Sequence, residues 1–154
     1  MRRHRQQVSE EECRQVLRTE GRCVLSVLGE GGYPYGIPLD FYFDEVRGKV
    51  YFHSAREGHK VDALRSNPKA CMTTWNTGFK KPGDWAWYVT SVICFGRVRL
   101  VDEEDLALDA LFQIGKKYYP SAEEARELAQ KTLSRVQILE LTIDHMTGKL
   151  VHES

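Results

Sequence analysis

The chain has 154 residues, 42% hydrophobic and 29% charged, which suits one globular domain large enough to bury a core. Lysine plus arginine equals aspartate plus glutamate at 22 each, so no net field draws in nucleic acid or an anionic lipid surface. No apolar stretch follows the basic start MRRHRQQ, and no run approaches the roughly 20 apolar residues of a membrane span, so neither a signal peptide nor a membrane helix is expected and the default location is the cytoplasm.

Ser9 with Glu12 three positions on forms a capping box, and the helix it opens runs to about Glu20, where Gly21 stops it. Residues 22–28 (RCVLSVL) read as a strand, and 29–32 (GEGG) as a hairpin loop. Residues 35–43 (YGIPLDFYF) read as a second strand; Pro38 removes a ladder donor, so this strand is an edge or is bulged there. A turn over 44–48 leads into a third strand at 49–54 (KVYFHS). A short helix follows over 59–66, ended by Asn67-Pro68, and 70–75 (ACMTTW) form a fourth strand. Beyond a polar loop at 77–84, residues 85–101 read as one long strand, broken or bent near Gly96. Asp102 is expected to cap a helix to about Lys117, burying Leu106, Leu108, Leu111 and Phe112. Ser121 and Glu124 form another capping box, for a helix to about Leu133, and 136–143 (VQILELTI) alternate as a half-buried strand. Hairpin-linked strands with late, clustered helices make an antiparallel α+β pattern that favours a small barrel in one domain.

Four cysteines (Cys13, Cys23, Cys71, Cys94) form no C-x-x-C pair, and His4, His53, His59, His145 and His152 are too scattered for a zinc pattern, so reduced thiols and no metal site are expected. Trp75, Trp85 and Trp87 flank the polar loop and are expected to pack in the core or at a dimer contact. The richest segment is YFHSAREGHK at 51–60, where a strand hands over to a helix. Unpaired N–H groups and the dipole at that helix start favour an anion. Ser54 adds a hydroxyl, Gly58 admits close backbone approach, and Lys60, with Arg56 as a second candidate, adds positive charge. A phosphate monoester needs those groups; the same residues also read as a capped helix with solvated charges. His53 reads either as a partly buried histidine with a satisfied hydrogen bond or as a group beside a ligand.

Taken in order, GIPLDF at 36–41, YFHSAxEGxK at 51–60, Asp84-Trp85 leading to SVIxFGR at 91–97, and MTGK at 146–149 resemble the pyridoxamine 5′-phosphate oxidase-like FMN-binding split-barrel family, nearest its nitroimidazole-resistance (Nim) branch. The resemblance spans nearly the whole chain. It implies an α+β fold, a six-stranded antiparallel Greek-key split β-barrel with flanking helices, and a homodimer with two FMN sites at its interface. It implies that Pro38, Leu39, Asp40 and Phe41 line the isoalloxazine through backbone groups, and that His53, Ser54 and Ala55 flank the ring and ribityl chain. Gly58, His59 and Lys60 would hold the phosphate, Ser91 and Val92 would complete the pocket, and His53, near the reactive face, is the one catalytic candidate.

Three departures narrow this. The strand at 35–41 lacks the arginine of true pyridoxamine-phosphate oxidases, and the tail reads DHMTGKL where they carry Arg-x-His, so vitamin B6 oxidation is not expected. Thr90 stands where many Nim relatives have arginine, and Cys94 where they have glycine. The resulting expectation is an FMN-dependent oxidoreductase that reduces a small nitroaromatic or quinone acceptor. The alternatives are a non-catalytic flavin or haem binding protein, or an F420-dependent reductase of the same fold.

Overall fold

The computed structural model describes residues 4–151; the first three residues of the basic start, and His152, lie outside the described residues. Helix α1 (Glu10–Thr19) opens on the expected capping box: the Glu12 N–H donates to Ser9 Oγ at 3.2 Å, and the Ser9 N–H donates to the Glu12 carboxylate at 2.8 Å. Its Cys13, Val16 and Leu17, spaced three and four apart, enter the core cluster. Ser9→Ala leaves the first-turn N–H groups without their acceptor and should cost about 1 kcal/mol, read as a melting temperature about 3 °C lower.

Strands β1 (Arg22–Leu28), β2 (Pro34–Asp44), β3 (Lys49–Ala55), β4 (Lys69–Trp75), β5 (Val89–Val101) and β6 (Val136–Val151) close an antiparallel barrel in the order β1-β2-β3-β6-β5-β4. Alternate residues point inward, so Leu25, Phe41, Phe52, Met72, Val92, Leu139 and Leu141 are fully enclosed. This is the six-stranded α+β barrel the sequence leads one to expect. Helix α2 (His59–Ser66) follows β3, while α3 (Glu104–Gly115) and α4 (Ala122–Thr132) form a hairpin. That hairpin packs over Tyr51, Val101 and Ile138 on the barrel's outer face.

Several expectations need correction. The last strand runs to Val151, not Ile143. Phe95 pairs with His145 but Gly96 with Ile143, so Asp144 is the extra residue of a β-bulge. The bulge resets the alternation, and a period-two reading stops there. The bend expected near Gly96 is this bulge. The preceding strand starts at Val89, leaving Trp85 and Trp87 in the loop.

Helix α3 is capped by Glu103, not Asp102, and without a side-chain bond to its own amides, because Arg99 holds the Glu103 carboxylate at 2.8 and 3.0 Å. Its buried stripe is Ala107, Ala110, Leu111 and Ile114; Leu106, Leu108 and Phe112 pack only partly. Small residues face small ones here, since α4 buries Ala125 and Ala129. The second capping box is half made: Ser121 Oγ accepts from the Glu124 N–H at 3.2 Å, without the reciprocal bond. Nor are the tryptophans core residues: Trp75, Trp85 and Trp87 are 52%, 72% and 57% exposed. All four cysteines are free thiols, and Cys13, Cys23 and Cys94 are buried. No helix among the described residues is long and apolar enough to cross a membrane.

Candidate functional site

Strands β2 and β3 pair only from Phe41–Phe52 to Asp44–Lys49. Beyond that they part: residues 34–40 of β2 pair with β1 alone, and 53–55 of β3 pair with β6 alone. The barrel is therefore split along one edge, and Pro38 lies on it in regular register, so its missing N–H costs no ladder bond. The Phe41 N–H donates to the Gly21 carbonyl on the β1 side at 3.0 Å. By the alternation of antiparallel backbone, Pro38 and Asp40 turn their backbone groups to the open edge, while Leu39 and Phe41 turn theirs to β1. Phe41 also buries its side chain in the core.

At the end of β3, Ser54 extends the inward row of Val50 and Phe52 and is only 5% exposed. Lys60 Nζ donates to Ser54 Oγ at 2.9 Å, and that hydroxyl donates to the Ala55 carbonyl at 2.9 Å. Among the described residues Lys60 makes no ion pair, so its ammonium rests on a neutral partner. Gly58 caps α2 with φ of 130°, a backbone state that needs glycine, and nothing lies within 4 Å of where a Cβ would stand. It offers no side chain to the first turn, so the leading N–H groups of the helix have no side-chain cap, while the Val61 and Asp62 N–H groups donate to the Gly58 carbonyl. Hydroxyl, ammonium, helix start and bare glycine together suit an anion of phosphate size. Arg56 is not part of this cradle, because its guanidinium reaches the Leu133 carbonyl at 3.5 Å. Nor is the His59 ring: it turns to the β1–β2 loop, accepting from the Glu30 N–H at 3.5 Å and meeting the Tyr35 ring edge-on at 4.5 Å. His59 can serve the cradle only through its backbone.

His53 points the other way from Ser54, along the outward row that Tyr51 begins beneath α3 and α4. Its Nδ1 is buried without a hydrogen-bond partner, contrary to the expectation of a satisfied structural histidine. Across the open edge stands Asp40, which accepts from Tyr118 Oη at 2.7 Å and from Arg22 Nε at 3.4 Å. Burial first, then the bond to Asp40, pushes the Tyr118 hydroxyl up to about 12, so it stays a donor at neutral pH. Asp40 and His53 floor a cavity of about 310 Å³ whose walls come from the α3–α4 hairpin. Neither Tyr118 nor that hairpin carries a motif; the Lys-Lys-Tyr-Tyr run after α3 gave no sign that one tyrosine would reach back to β2. Close by, Lys117 Nζ lies 4.4 Å from the Phe41 ring centroid and donates to the Glu20 carbonyl at 2.9 Å, and burial lowers its pKa.

On β5, Ser91 sits on the outer face between Trp75 and Lys149, whereas Val92 is fully buried in the core cluster and can offer only backbone. Burial pushes the Cys23 and Cys94 thiols up to about 12, which leaves both protonated and poor as nucleophiles. Among the described residues no group of three or more His, Cys, Asp or Glu could hold a metal ion.

The family profile described as pyridoxamine 5′-phosphate oxidase matches residues 9–150. No curated protein matches the sequence. Among solved structures, a 5-nitroimidazole antibiotic resistance protein of Bacteroides thetaiotaomicron superposes with a TM-score of 0.77 at 20% identity, over 94% of this chain and 86% of that one. A FAD-binding protein of Mesorhizobium loti gives 0.68 at 20% identity, over 95% and 97%. A FAD and heme binding protein of Mycobacterium smegmatis gives 0.70 at 17% identity, over 96% and 74%. At such identities these likenesses speak for the fold.

Proposed function

The chain belongs to the pyridoxamine 5′-phosphate oxidase family, and from that premise we propose that it is a single-domain cytoplasmic flavoprotein, a homodimer that binds FMN and reduces a small acceptor of nitroaromatic or quinone type. The observation that carries the reading is the cradle at the start of α2: Lys60, with no ion pair among the described residues, on the buried Ser54 hydroxyl beside the bare Gly58 turn. A phosphate monoester would replace the neutral partner of Lys60 with a charged one and take the open N–H groups of the helix start.

The remaining residues have roles around a flat ring lying across the open edge. Pro38 and Asp40 meet it with backbone groups, Ala55 flanks the chain that joins ring to phosphate, and His53 stands on the far face. Leu39, Phe41 and Val92 shape the strands behind it, and Ser91 closes one side. The flavin itself supplies the redox chemistry; the protein binds and orients it and sets its surroundings. The reading is supported by the FAD-binding relatives of the same fold and by the nitroimidazole-resistance protein among them.

The surface supports a dimer. α3 and α4 cover one side of the barrel, while the β4–β5 side keeps Trp75, Phe79, Trp85, Trp87 and Phe95 in water. Exposed aromatic side chains of this kind suit the surface that a partner copy would cover.

Lys60→Ala should weaken FMN retention by about 1.5–3 kcal/mol, roughly 10- to 150-fold in dissociation constant, with the melting temperature of the flavin-free protein unchanged. Fluorescence titration of the purified protein with FMN reads this directly. Equal retention by wild type and variant would remove Lys60 from the site. A Soret band in place of the flavin spectrum would replace the reading with haem binding, and mass spectrometry of the released cofactor separates FMN from FAD and F420.

A further inference from the structure

Lys117, in the connection between α3 and α4, carries a charge that the proposed site does not use. Its Nζ lies 4.4 Å from the centroid of the fully buried Phe41 ring and donates at 2.9 Å to the carbonyl of Glu20, the C-cap of α1. Both contacts are to neutral groups. The Glu20 and Asp40 carboxylates act on the ammonium only through space, and burial lowers its pKa, the mark of a charge poorly reached by water.

Its position ties it to the proposed flavin edge. Phe41–Phe52 is the last pair between β2 and β3 before the two strands part, so the ammonium stands at the root of the open edge. Tyr118, the next residue, reaches Asp40 one step out along that edge at 2.7 Å, and Arg22 shares the same carboxylate at 3.4 Å. Asp40 is thereby occupied by its own partners, and Lys117 is left as a fixed positive charge behind β2. A charge held partly out of water is screened less than one on the surface, so its field carries across the strand.

We propose that Lys117 sets the reduction potential of the bound flavin, its ammonium favouring the reduced ring over the oxidised one. The proposal deepens the flavin reading and rests on it. Oxidised isoalloxazine is uncharged, and two electrons with one proton turn it into an anion. A fixed cation behind the edge therefore stabilises the product of reduction and leaves the starting ring nearly unaffected. The effect acts through space and needs neither contact with the ring nor an open surface at Lys117, which makes Lys117 a tuning residue and not a catalytic one. A purely structural Lys117, tying the α3–α4 connection to the end of α1, would affect stability and leave the potential alone.

The test is the midpoint potential of the FMN-reconstituted protein at neutral pH, read by absorbance against a reference dye while dithionite supplies the electrons. The dissociation constant of oxidised FMN is measured alongside. Lys117→Met, which keeps the length and removes the charge, should bind reduced FMN about ten-fold more weakly, relative to oxidised FMN, than wild type does, a midpoint about 30 mV more negative. Oxidised FMN should be held as tightly as before. Lys117→Arg, which keeps the charge, should keep the wild-type potential, and Lys117→Gln serves if the methionine variant does not fold. A wild-type potential in the neutral variant overturns the proposal. So does an equal shift in Lys117→Arg, which would trace the effect to lost packing. A wild type that takes up no flavin overturns the flavin reading and the proposal with it, whereas flavin held with its potential unmoved overturns the proposal alone.

Discussion

Glu140→Gln is expected to destabilise the fold by about 2–3 kcal/mol and to flatten its response to acid. The carboxylate is 2% exposed and receives three charged or polar donors: Lys49 Nζ at 2.8 Å, Arg99 Nε at 2.8 Å and Tyr51 Oη at 2.9 Å. Burial alone would raise its pKa. The hydrogen bonds from Arg99, Lys49 and Tyr51 outweigh burial and bring it down to about 2 from the ordinary 4.5. The unfolded chain thus takes up a proton near pH 4.5, and the folded one only near pH 2. Between those values the unfolded state binds the extra proton, so stability is full above about pH 5 and drains as pH falls toward 2. The difference corresponds to about 3 kcal/mol across that window. Glutamine keeps the shape without the charge, so it loses that contribution at neutral pH and has none left to lose in acid. Lys49 and Arg99 keep contact with water, which holds the cost below that of stranding a fully buried cation. Urea titrations at pH 7 and pH 3 test both halves; a wild-type gap between them no larger than the variant's would mean that the ion cluster contributes nothing net.

That cluster also marks where the sequence stops being informative. Position 140 sits in VQILELTI, whose alternation reads as apolar-in and polar-out, and Glu140 obeys the parity. What parity does not tell is that the outer face here lies against other protein, because Arg99 comes from a strand 41 residues away and Lys49 from one 91 away. The presence of six strands was legible, since each carries an alternating run; the ends of β5 and β6 were not, because the 16-residue β6 passes through a bulge that resets its alternation. The grouping of Ser54, Gly58 and Lys60 was legible because all three lie within one strand-to-helix handover, where local spacing fixes geometry. The cavity beneath the α3–α4 hairpin was not. It joins β2, β3, α3 and α4, and the pairing of Tyr118 with Asp40 spans 78 residues. The stripe of α3 was read correctly only at Leu111; Leu106, Leu108 and Phe112 were taken as buried for their size. At the close contact with α4 the alanines go inside with Leu111 and Ile114, and Leu106, Leu108 and Phe112 lie on the flank. His53 shows a further gap: alternation gave its face, but only the full fold shows a nitrogen left without a partner.

Gly96→Ala is expected to cost about 3 kcal/mol and to lower the melting temperature by about 10 °C, out of proportion to one methyl group. The residue is buried in β5 at the bulge, and a Cβ built there collides with the Thr142 carbonyl oxygen and lies 2.9 Å from Leu141 Cδ1. A side-chain tip could swing aside. The Thr142 carbonyl belongs to the β6 ladder, and moving it means unpairing strands that hold the barrel shut. The cost is therefore steric and falls on the backbone, with no left-handed conformation involved. Gly115 supplies the contrast, standing at the last position of α3 with its would-be Cβ in ordinary contact with Ala125 at 3.4 Å. Gly115→Ala should be neutral or stabilising by up to about 1 kcal/mol, because alanine restricts the unfolded chain where the helical conformation already suits it. Thermal melts of the two variants side by side separate the causes. If both lose stability alike, the penalty reflects general intolerance of added volume, and the bulge at Phe95–Gly96 is not the fixed joint that this packing makes it.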